Sequence, residues 1–375
     1  MSWAEHHDRS ERLAAEAERA ARAQDYVRAE ELYQQAAREE ATALEHVPFE
    51  KKRTQGITAV SAVALWYKAR VYIQAEQLAY SQLSTTSLPD FAQIQLKDLL
   101  NLIWSAQSAD AAGIRFMAGD ILVSVKGGQV IHGGAPLDVI VRRVEGIQAV
   151  LFRTIEMLLN QPFRRRGSPG LDIQSMFRPW LFQAPAGSYQ FAIRIQEPMQ
   201  KEMWEAERPQ VERVTATFLQ VLRASATDPE NELPRLVPDA SYREAFLGLS
   251  RNLAPTGGTF ERLEIRDAGA PSDPWAAFGS EARQKLNAAL RKTRPLRALP
   301  AGGYDVTLKG ILRALHLDQD WLEIVTHEEP LAHKRILGAG EVLDDVVGPM
   351  VNRKVKVHAS VSGNKYYYRD IELDE

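Results

Sequence analysis

The chain has 375 residues, of which 45% are hydrophobic and 25% are charged, a composition typical of globular proteins rather than of disordered or fibrous ones. A single hydrophobic core usually stops growing at roughly 250 to 300 residues, so this length indicates two or three domains. The formal net charge of −3 excludes a chain-wide positive field for nucleic acid or anionic membranes, although a local basic patch stays open.

Cysteine is absent from the sequence. Disulfides, zinc–thiolate sites, iron–sulfur clusters and cysteine nucleophiles are therefore excluded, and a reducing cytoplasm is the expected location. The first residues lack the apolar stretch of a secretory signal, and no run approaches the roughly 18 to 20 apolar residues that span a bilayer. We therefore expect a cytoplasmic protein that does not contact membranes.

Residues 1–108 are predicted to form a helical domain. Asp8 and Glu11 have the spacing of a capping box, which predicts the start of the first helix. Apolar residues and alanines at helical spacing predict four more helices, and Pro48 and Pro89 mark two of the joins. These four helices are predicted at residues 26–45, 51–68, 72–88 and 90–105.

A short pattern occurs twice within these helices. DYVRAEEL contains Tyr26 and Ala29, and VYIQAEQL repeats them 46 positions later as Tyr72 and Ala75. The pattern resembles the turn and second helix of a tetratricopeptide repeat, in which small residues allow close helix packing and the tyrosine fills the gap at the turn. The resemblance covers residues 8–106. It departs from the family in its period, which is usually about 34 residues, and in lacking the tryptophan and Leu-Gly of the first helix.

The resemblance implies antiparallel helical hairpins at whose turns both tyrosines are buried. It also implies a concave face that holds a peptide or a helix of a partner protein. Fold does not fix function, so these helices are equally well interpreted as a packing domain only.

Residues 113–290 are predicted to form a central α+β domain. Two β-branched runs, joined by Gly127 and Gly128, predict a hairpin, because adjacent glycines supply the positive φ angles of a tight turn. A wide apolar stripe predicts a long helix that begins at Pro136. The predicted strands lie at 121–125, 129–131, 189–195 and 260–265, and the predicted helices at 136–159, 199–224 and 241–253.

A linker, 291–302, leads to a predicted small five-stranded β-barrel at 303–375. A short helix between the third and fourth strands gives the order of an OB-like barrel, and an SH3-like barrel fits nearly as well. The strands are predicted at 305–317, 321–326, 333–337, 353–361 and 365–373, with the helix at 341–347. The fold class is therefore multi-domain α+β, with an N-terminal bundle of tetratricopeptide-like hairpins, a central α+β domain and a C-terminal barrel.

Arginines in a loop rich in glycine and proline form the sharpest basic cluster. Arg164, Arg165 and Arg166 lie there, and Arg178 follows. Guanidinium groups bind phosphates and carboxylates with two parallel hydrogen bonds, so this cluster is a candidate contact for an anion, an acidic peptide or nucleic acid. Runs of like charge are more often solvated loops.

The predicted barrel offers a second candidate contact for nucleic acid. Lys354 and Lys356, followed by His358, are expected on one face of a strand while the alternate valines face the core. Nevertheless, residues 303–375 contain nine Lys or Arg against thirteen Asp or Glu. Tyr366 and Tyr368 are also expected to share a strand face with two acidic residues, Asp370 and Glu372, which would repel phosphate. A structural or protein-binding barrel is therefore favoured.

No motif selects a reaction, a cofactor or a metal. The sequence has no phosphate-binding glycine loop, and the histidines of HEEPLAH are six residues apart and separated by Pro330, which excludes a zinc-binding helix. A triad of Ser168, His132 and Asp138 would be a chance assembly. No catalytic, cofactor-binding or metal-binding residue is therefore assigned.

Three functions follow as hypotheses. The first is a non-catalytic scaffold or regulatory protein, for example of a bacterial signalling or defence system, whose N-terminal helices dock a protein partner. The second is a nucleic-acid-associated protein that uses the arginine loop or the barrel. The third is an enzyme with an unfamiliar site in the central domain, which a deep pocket with converging His132, Asp138 or Arg143 would indicate.

Overall fold

The computed structural model describes residues 2–23, 25–85, 88–114, 116, 121–183, 189–196, 213–267, 276–293, 304–326, 332–339 and 344–374. Its chain is mixed α+β, and its contacts divide it into two units, Met1–Arg115 and Phe116–Glu375. Within the described residues there is no helix with the length and apolar character needed to cross a membrane.

The described residues of the first unit form five helices, as the sequence predicts. The first two pack antiparallel, because His7 contacts Glu40 while Ser10, further along its helix, donates a hydrogen bond to the carbonyl of Ala36, which lies earlier in the second. Their bounds are α1 (Trp3–Arg22), α2 (Tyr26–Glu45), α3 (Lys52–Lys68), α4 (Tyr72–Leu83) and α5 (Asp90–Ala111).

The first helix begins earlier than predicted. Ser2 caps α1, and Glu5 returns a bond to the Ser2 backbone N–H at 2.7 Å, which completes a capping box. The prediction that α1 starts at Asp8 and Glu11 is wrong. Ser2 and Glu5 have the same spacing, lie closer to the N-terminus, and satisfy the free backbone N–H groups at the start of the helix.

The repeated pattern packs through its alanines rather than its tyrosines. Ala29 and Ala75 are buried, as expected. The prediction that both tyrosines are buried is wrong for Tyr26, which is 55% exposed, and Tyr72 is only half-buried. Each tyrosine occupies the first position of its helix, where the chain has only just left the turn. Tyr33, two turns into α2, is the buried tyrosine of this hairpin.

The second unit contains a five-stranded sheet. Its strands are β1 (Ile121–Lys126), β2 (Pro179–Gln183), β3 (Gln190–Ile195), β4 (Arg262–Asp267) and β5 (Ala276–Phe278). The strand order is β2-β3-β1-β4-β5, and all neighbours are antiparallel. The predicted hairpin of 121–125 with 129–131 is wrong, because both edges of β1 are occupied, by β3 and by β4. Gly127 and Gly128 do have positive φ angles. A Cβ at Gly128 would lie 2.8 Å from the Thr259 backbone, so the glycine permits the approach of the segment before β4.

Helices cover this sheet and complete a large apolar core. The helix predicted from Pro136 is confirmed, with Pro136 as its N-cap, and the helix predicted at 199–224 is described only from Val214, since residues 197–212 lie outside the described part. The helices are α6 (Leu137–Leu158), α7 (Leu171–Met176), α8 (Val214–Thr227), α9 (Glu232–Leu236), α10 (Ala240–Leu253), α11 (Ser280–Thr293) and α12 (Asp344–Val347).

The five C-terminal strands lie close to their predicted positions. They are β6 (Tyr304–His316), β7 (Trp321–Thr326), β8 (Ala332–Leu337), β9 (Lys354–Ser362) and β10 (Lys365–Leu373). Their pairings run β10-β8-β7-β6-β9, and β9 pairs again with β10, so each strand has two neighbours. The third strand pairs in parallel with the fifth, and the other pairs are antiparallel.

A β-bulge in β10 changes which residues share its faces. The register shifts between Tyr368 and Asp370, which leaves Arg369 as the extra residue. Tyr366 and Tyr368 consequently pack against the core, whereas Asp370 lies opposite His358 on the outer face. The expectation that these tyrosines share a face with the acidic residues is wrong, because an extra residue reverses the alternation beyond it.

Buried side chains from residues 116–290 and from 303–375 belong to one hydrophobic core. Ion pairs add to this connection. The buried Arg251 of α10 bonds both carboxylate oxygens of Asp370 in β10, at 2.6 and 3.2 Å, and Arg283 of α11 bonds Glu372 at 2.7 Å. The start of the predicted linker, 291–293, is the end of α11, and residues 294–302 lie outside the described part. A division of this unit into two domains stays a prediction.

Candidate functional site

An exposed apolar groove lies between the N-terminal ends of α3 and α5. Arg53, Ile57, Pro89 and Phe91 line it, and we call it the α3–α5 groove. Ile57 is 49% exposed and Phe91 38% exposed. Exposed apolar surface that is contiguous rather than scattered marks interaction sites in soluble proteins.

Small residues bring the two helices together at this point. A Cβ on Gly56 would lie 2.9 Å from the Cβ of Ala92 and 3.2 Å from the ring of Phe91. Glycine and alanine therefore let α3 and α5 approach closely, and Pro89 starts α5 as its N-cap. Because the buried row is made of small side chains, the larger Ile57 and Phe91 are left at its outer edge.

Apolar residues close to the groove in the sequence are also exposed. Ile94 lies one turn after Phe91, on the same side of α5, and is 57% exposed. Phe49, in the link before α3, is 68% exposed. Several large apolar groups are thus available around the start of these two helices.

The groove has basic residues at one end. Lys51, Lys52 and Arg53 are all exposed, and the described structure gives none of the three an ion pair. They occupy the N-cap and first two positions of α3, which has no acidic residue in its first turn and no side-chain cap. Cations here oppose the helix dipole, typically at a cost of about 0.3–1 kcal/mol each. Stability of α3 therefore does not account for them.

Two of the four arginines in the predicted cluster contact carboxylates. Arg164 lies 2.9 Å from Glu156, and Arg166 lies 2.6 Å from Asp318. Arg165 and Arg178 are exposed, and Arg178 lies against the ring of Trp180. The structure brings Arg164 and Arg166 to acidic partners within the chain, which neutralise part of the positive charge of the cluster. The role of these arginines as anion contacts stays a prediction.

A buried arginine anchors the same loop. Arg153 of α6 is fully buried, bonds Asp345 of α12 at 2.7 Å and lies 3.5 Å from Glu156. Asp345 is also 3.7 Å from Arg164. Two arginines and two carboxylates thus form a neutral network that ties α6, the arginine loop and α12 together.

The basic face of β9 is similarly paired. Lys356 lies 2.6 Å from Asp374, and this pair holds the pKa of Asp374 below its ordinary value. His358, 3.7 Å from Glu372, and Arg283 together hold the pKa of Glu372 at about 2. Lys354 is exposed at the end of the strand. The alternate valines of β9 face the core, as predicted.

The residues named for a hypothetical enzyme site do not converge. His132 and Ser168 are exposed, and Asp138 pairs with Arg142 on the surface of α6. Arg143 is buried 4.4 Å from the Phe260 ring, where burial lowers its pKa to about 9. In the part of the chain that the structure describes, no group of three metal-ligating side chains has a geometry that could hold an ion.

A second concavity lies in the other unit, between α6 and the edge strand β2. Ile147, Leu151, Trp180, Leu181 and Ile193 are among the side chains that line it. Gln148 is its polar member, and none of the described residues that line it is charged. It therefore offers less chemical selectivity than the α3–α5 groove.

No family model, curated protein or solved structure matches this chain. The interpretation of the groove therefore depends on its own geometry and charge.

Sequence reasoning missed the groove residues. Phe91 and its neighbour Ile94 have the helical spacing of core positions, yet both are exposed in the structure. One signal was available, because three consecutive cations at the start of α3, with no acidic residue in its first turn, depart from the usual pattern of helix termini.

Proposed function

We propose that this chain is a non-catalytic scaffold or regulatory protein whose N-terminal helices dock a segment of a protein partner. The observation that carries the proposal is the α3–α5 groove, whose apolar walls, Ile57 and Phe91, are exposed in the chain. Covering such surface with a partner's apolar side chains contributes roughly 25 cal/mol per Å² removed from water. A few large side chains can therefore supply a specific contact.

The arrangement of the helices supports a tetratricopeptide-like unit as part of the proposal. α1 and α3 are neighbours, because Trp3 donates a hydrogen bond to Thr58 at 3.2 Å, and α3 is in turn adjacent to α5 at Gly56 and Ala92. The first helices of successive hairpins thus lie side by side, and the groove is on their side of the bundle. Alanine packing supports this interpretation, whereas the exposed Tyr26 does not.

We further propose that the C-terminal sheet is an OB-like barrel that positions or stabilises the rest of the protein. The parallel pairing of the third strand with the fifth favours a Greek-key barrel over a simple meander. The buried pairs of Arg251 and Arg283 support a structural role for this sheet. A cytoplasmic location belongs to the same proposal.

The nucleic-acid and enzyme hypotheses stay open as alternatives. Carboxylates within the chain already contact Arg164, Arg166 and Lys356, which reduces the positive field on which nucleic-acid binding depends. Among the residues that the structure describes, no convergence of polar groups supports a particular reaction.

Photo-crosslinking tests the docking proposal. A benzophenone amino acid is placed at Ile57 in the full-length protein, in the cells that produce it, and a matched variant carries it at Ile73, which is 63% exposed on α4. We expect a discrete protein adduct from position 57, with one partner segment identified by mass spectrometry, and little adduct from position 73. Equal adducts from both positions, or none from position 57, would count against the groove.

A further inference from the structure

We infer that the segment held in the α3–α5 groove is acidic and carries large apolar side chains. This inference rests on the proposed docking function and specifies the chemistry of the partner. It combines two independent features of one place in the fold, an apolar groove and a group of exposed cations that form no ion pair with the described residues of the chain.

The apolar part of the groove selects apolar side chains. Ile57, Pro89 and Phe91 line the groove with carbon surface, and Gly56 marks the close contact of the two helices beside it. An aromatic ring or a branched aliphatic group of the partner would replace water against this surface. Such anchors, buried at the centre of an interface, usually provide most of the binding energy.

The charged part selects carboxylates. Arg53 belongs both to the wall of the groove and to the basic group that Lys51 and Lys52 complete. A bound acidic side chain could therefore contact the Arg53 guanidinium while an adjacent apolar side chain enters the groove. Guanidinium and carboxylate match in geometry, with two parallel hydrogen bonds.

The placement of these cations is unfavourable in the unbound chain. α1 and α5 have acidic residues, Glu5 and Asp90, in their first turns, which complements the helix dipole. α3 has Lys52 and Arg53 there instead. A partner carboxylate would offset the unfavourable charge, so the arrangement fits an acidic ligand better than it fits an isolated helix.

Direct binding tests the inference with the full-length protein. The probe is a labelled synthetic peptide with phenylalanine and leucine one helical turn apart among glutamates, and its anisotropy is measured. One matched peptide has lysine in place of every glutamate, and another has serine in place of both apolar residues. We expect the acidic apolar peptide to bind. Each matched peptide should bind with an affinity at least about tenfold lower.

Variants of the protein locate the contact. The charge reversal K51E/K52E/R53E should weaken binding of the acidic apolar peptide by about tenfold or more, and K51Q/K52Q/R53Q by less. The matched control, R12E/R19E/R38E, reverses three exposed cations on α1 and α2 and should change the affinity by less than about twofold. Circular dichroism verifies that each variant is folded.

Several results would overturn the inference. They are equal loss of binding in both charge reversals, equal binding of the lysine peptide, and no binding of any peptide. A crosslink from position 57 to a segment without acidic residues would also overturn it, yet would leave the docking proposal intact. A crosslink to a second copy of this chain would identify self-association and, unless the contact is an acidic apolar segment, would likewise reject the inference.

Discussion

Replacement of Arg153 by methionine should lower the free energy of unfolding of the unit formed by residues 116–375 by about 3–5 kcal/mol. The guanidinium is fully buried and lies between the carboxylates of Asp345 and Glu156. Methionine has a similar length but no charge, so it leaves two poorly solvated carboxylates with Arg164 as their remaining partner in the network. An uncompensated buried charge costs much more than the loss of an exposed ion pair.

Urea denaturation, monitored through the hydrogen exchange of the α6 amides, would measure this loss of stability without interference from the N-terminal helices. The matched control is Arg166→Met, in the neighbouring loop, because its partner Asp318 is 84% exposed. This control should cost less than about 1 kcal/mol. Similar small losses in both variants would show that the buried network does not stabilise the unit as described.

Replacement of Glu372 by glutamine should remove an acid-dependent part of the stability of the same unit. The folded-state pKa of Glu372 is about 2, below the ordinary value of 4.5 for this group. A depressed carboxyl pKa contributes stability that is present above the unfolded pKa and is lost as the pH falls from about 4.5 towards 2. The shift corresponds to at most about 3 kcal/mol at neutral pH, and partial solvent exposure reduces it.

Unfolding free energies measured between neutral pH and pH 3 test this prediction. Wild type and Glu372→Gln should differ most at neutral pH and converge as the pH falls. Glu145→Gln is the matched control, since Glu145 is exposed on α6, and its pH profile should follow that of the wild type. A constant difference between wild type and Glu372→Gln at all pH values would attribute the effect to packing rather than to charge.

Local patterns were sufficient for much of the fold. The helix that begins after Pro136 has a wide apolar stripe and a proline at its start, and the C-terminal strands alternate between polar and apolar residues. These features depend on a few neighbouring residues, so one sequence contains enough information to place them.

Features that depend on long-range pairing were not predictable. Gly127 and Gly128 form a turn at the end of β1. The strand that pairs with β1 is nevertheless not the next segment but β4, which lies more than a hundred residues later in the sequence. The extra residue at Arg369 reverses the faces of β10 without any local signal. Tyr26 has the spacing of a buried residue, yet its position at the start of α2 leaves it exposed.

The groove was unpredictable for the same reason. Ile57 and Phe91 belong to different helices, and each has the spacing of a core residue within its own helix. Their exposure follows from the close contact at Gly56 and Ala92, which no single helix reveals. The basic residues of α3 were the only local indication that this region differs from an ordinary helix start.

The claim that the α3–α5 groove docks a protein segment can be decided by hydrogen exchange with the bound segment. The segment recovered from the position-57 crosslink is synthesised and added to the full-length protein. We predict slower exchange in the link before α3 and in the first turns of α3 and α5, with α4 and residues 116–375 unchanged. Protection confined to α4 or to the C-terminal strands, or no protection of α3 and α5 with the peptide bound, would contradict the claim.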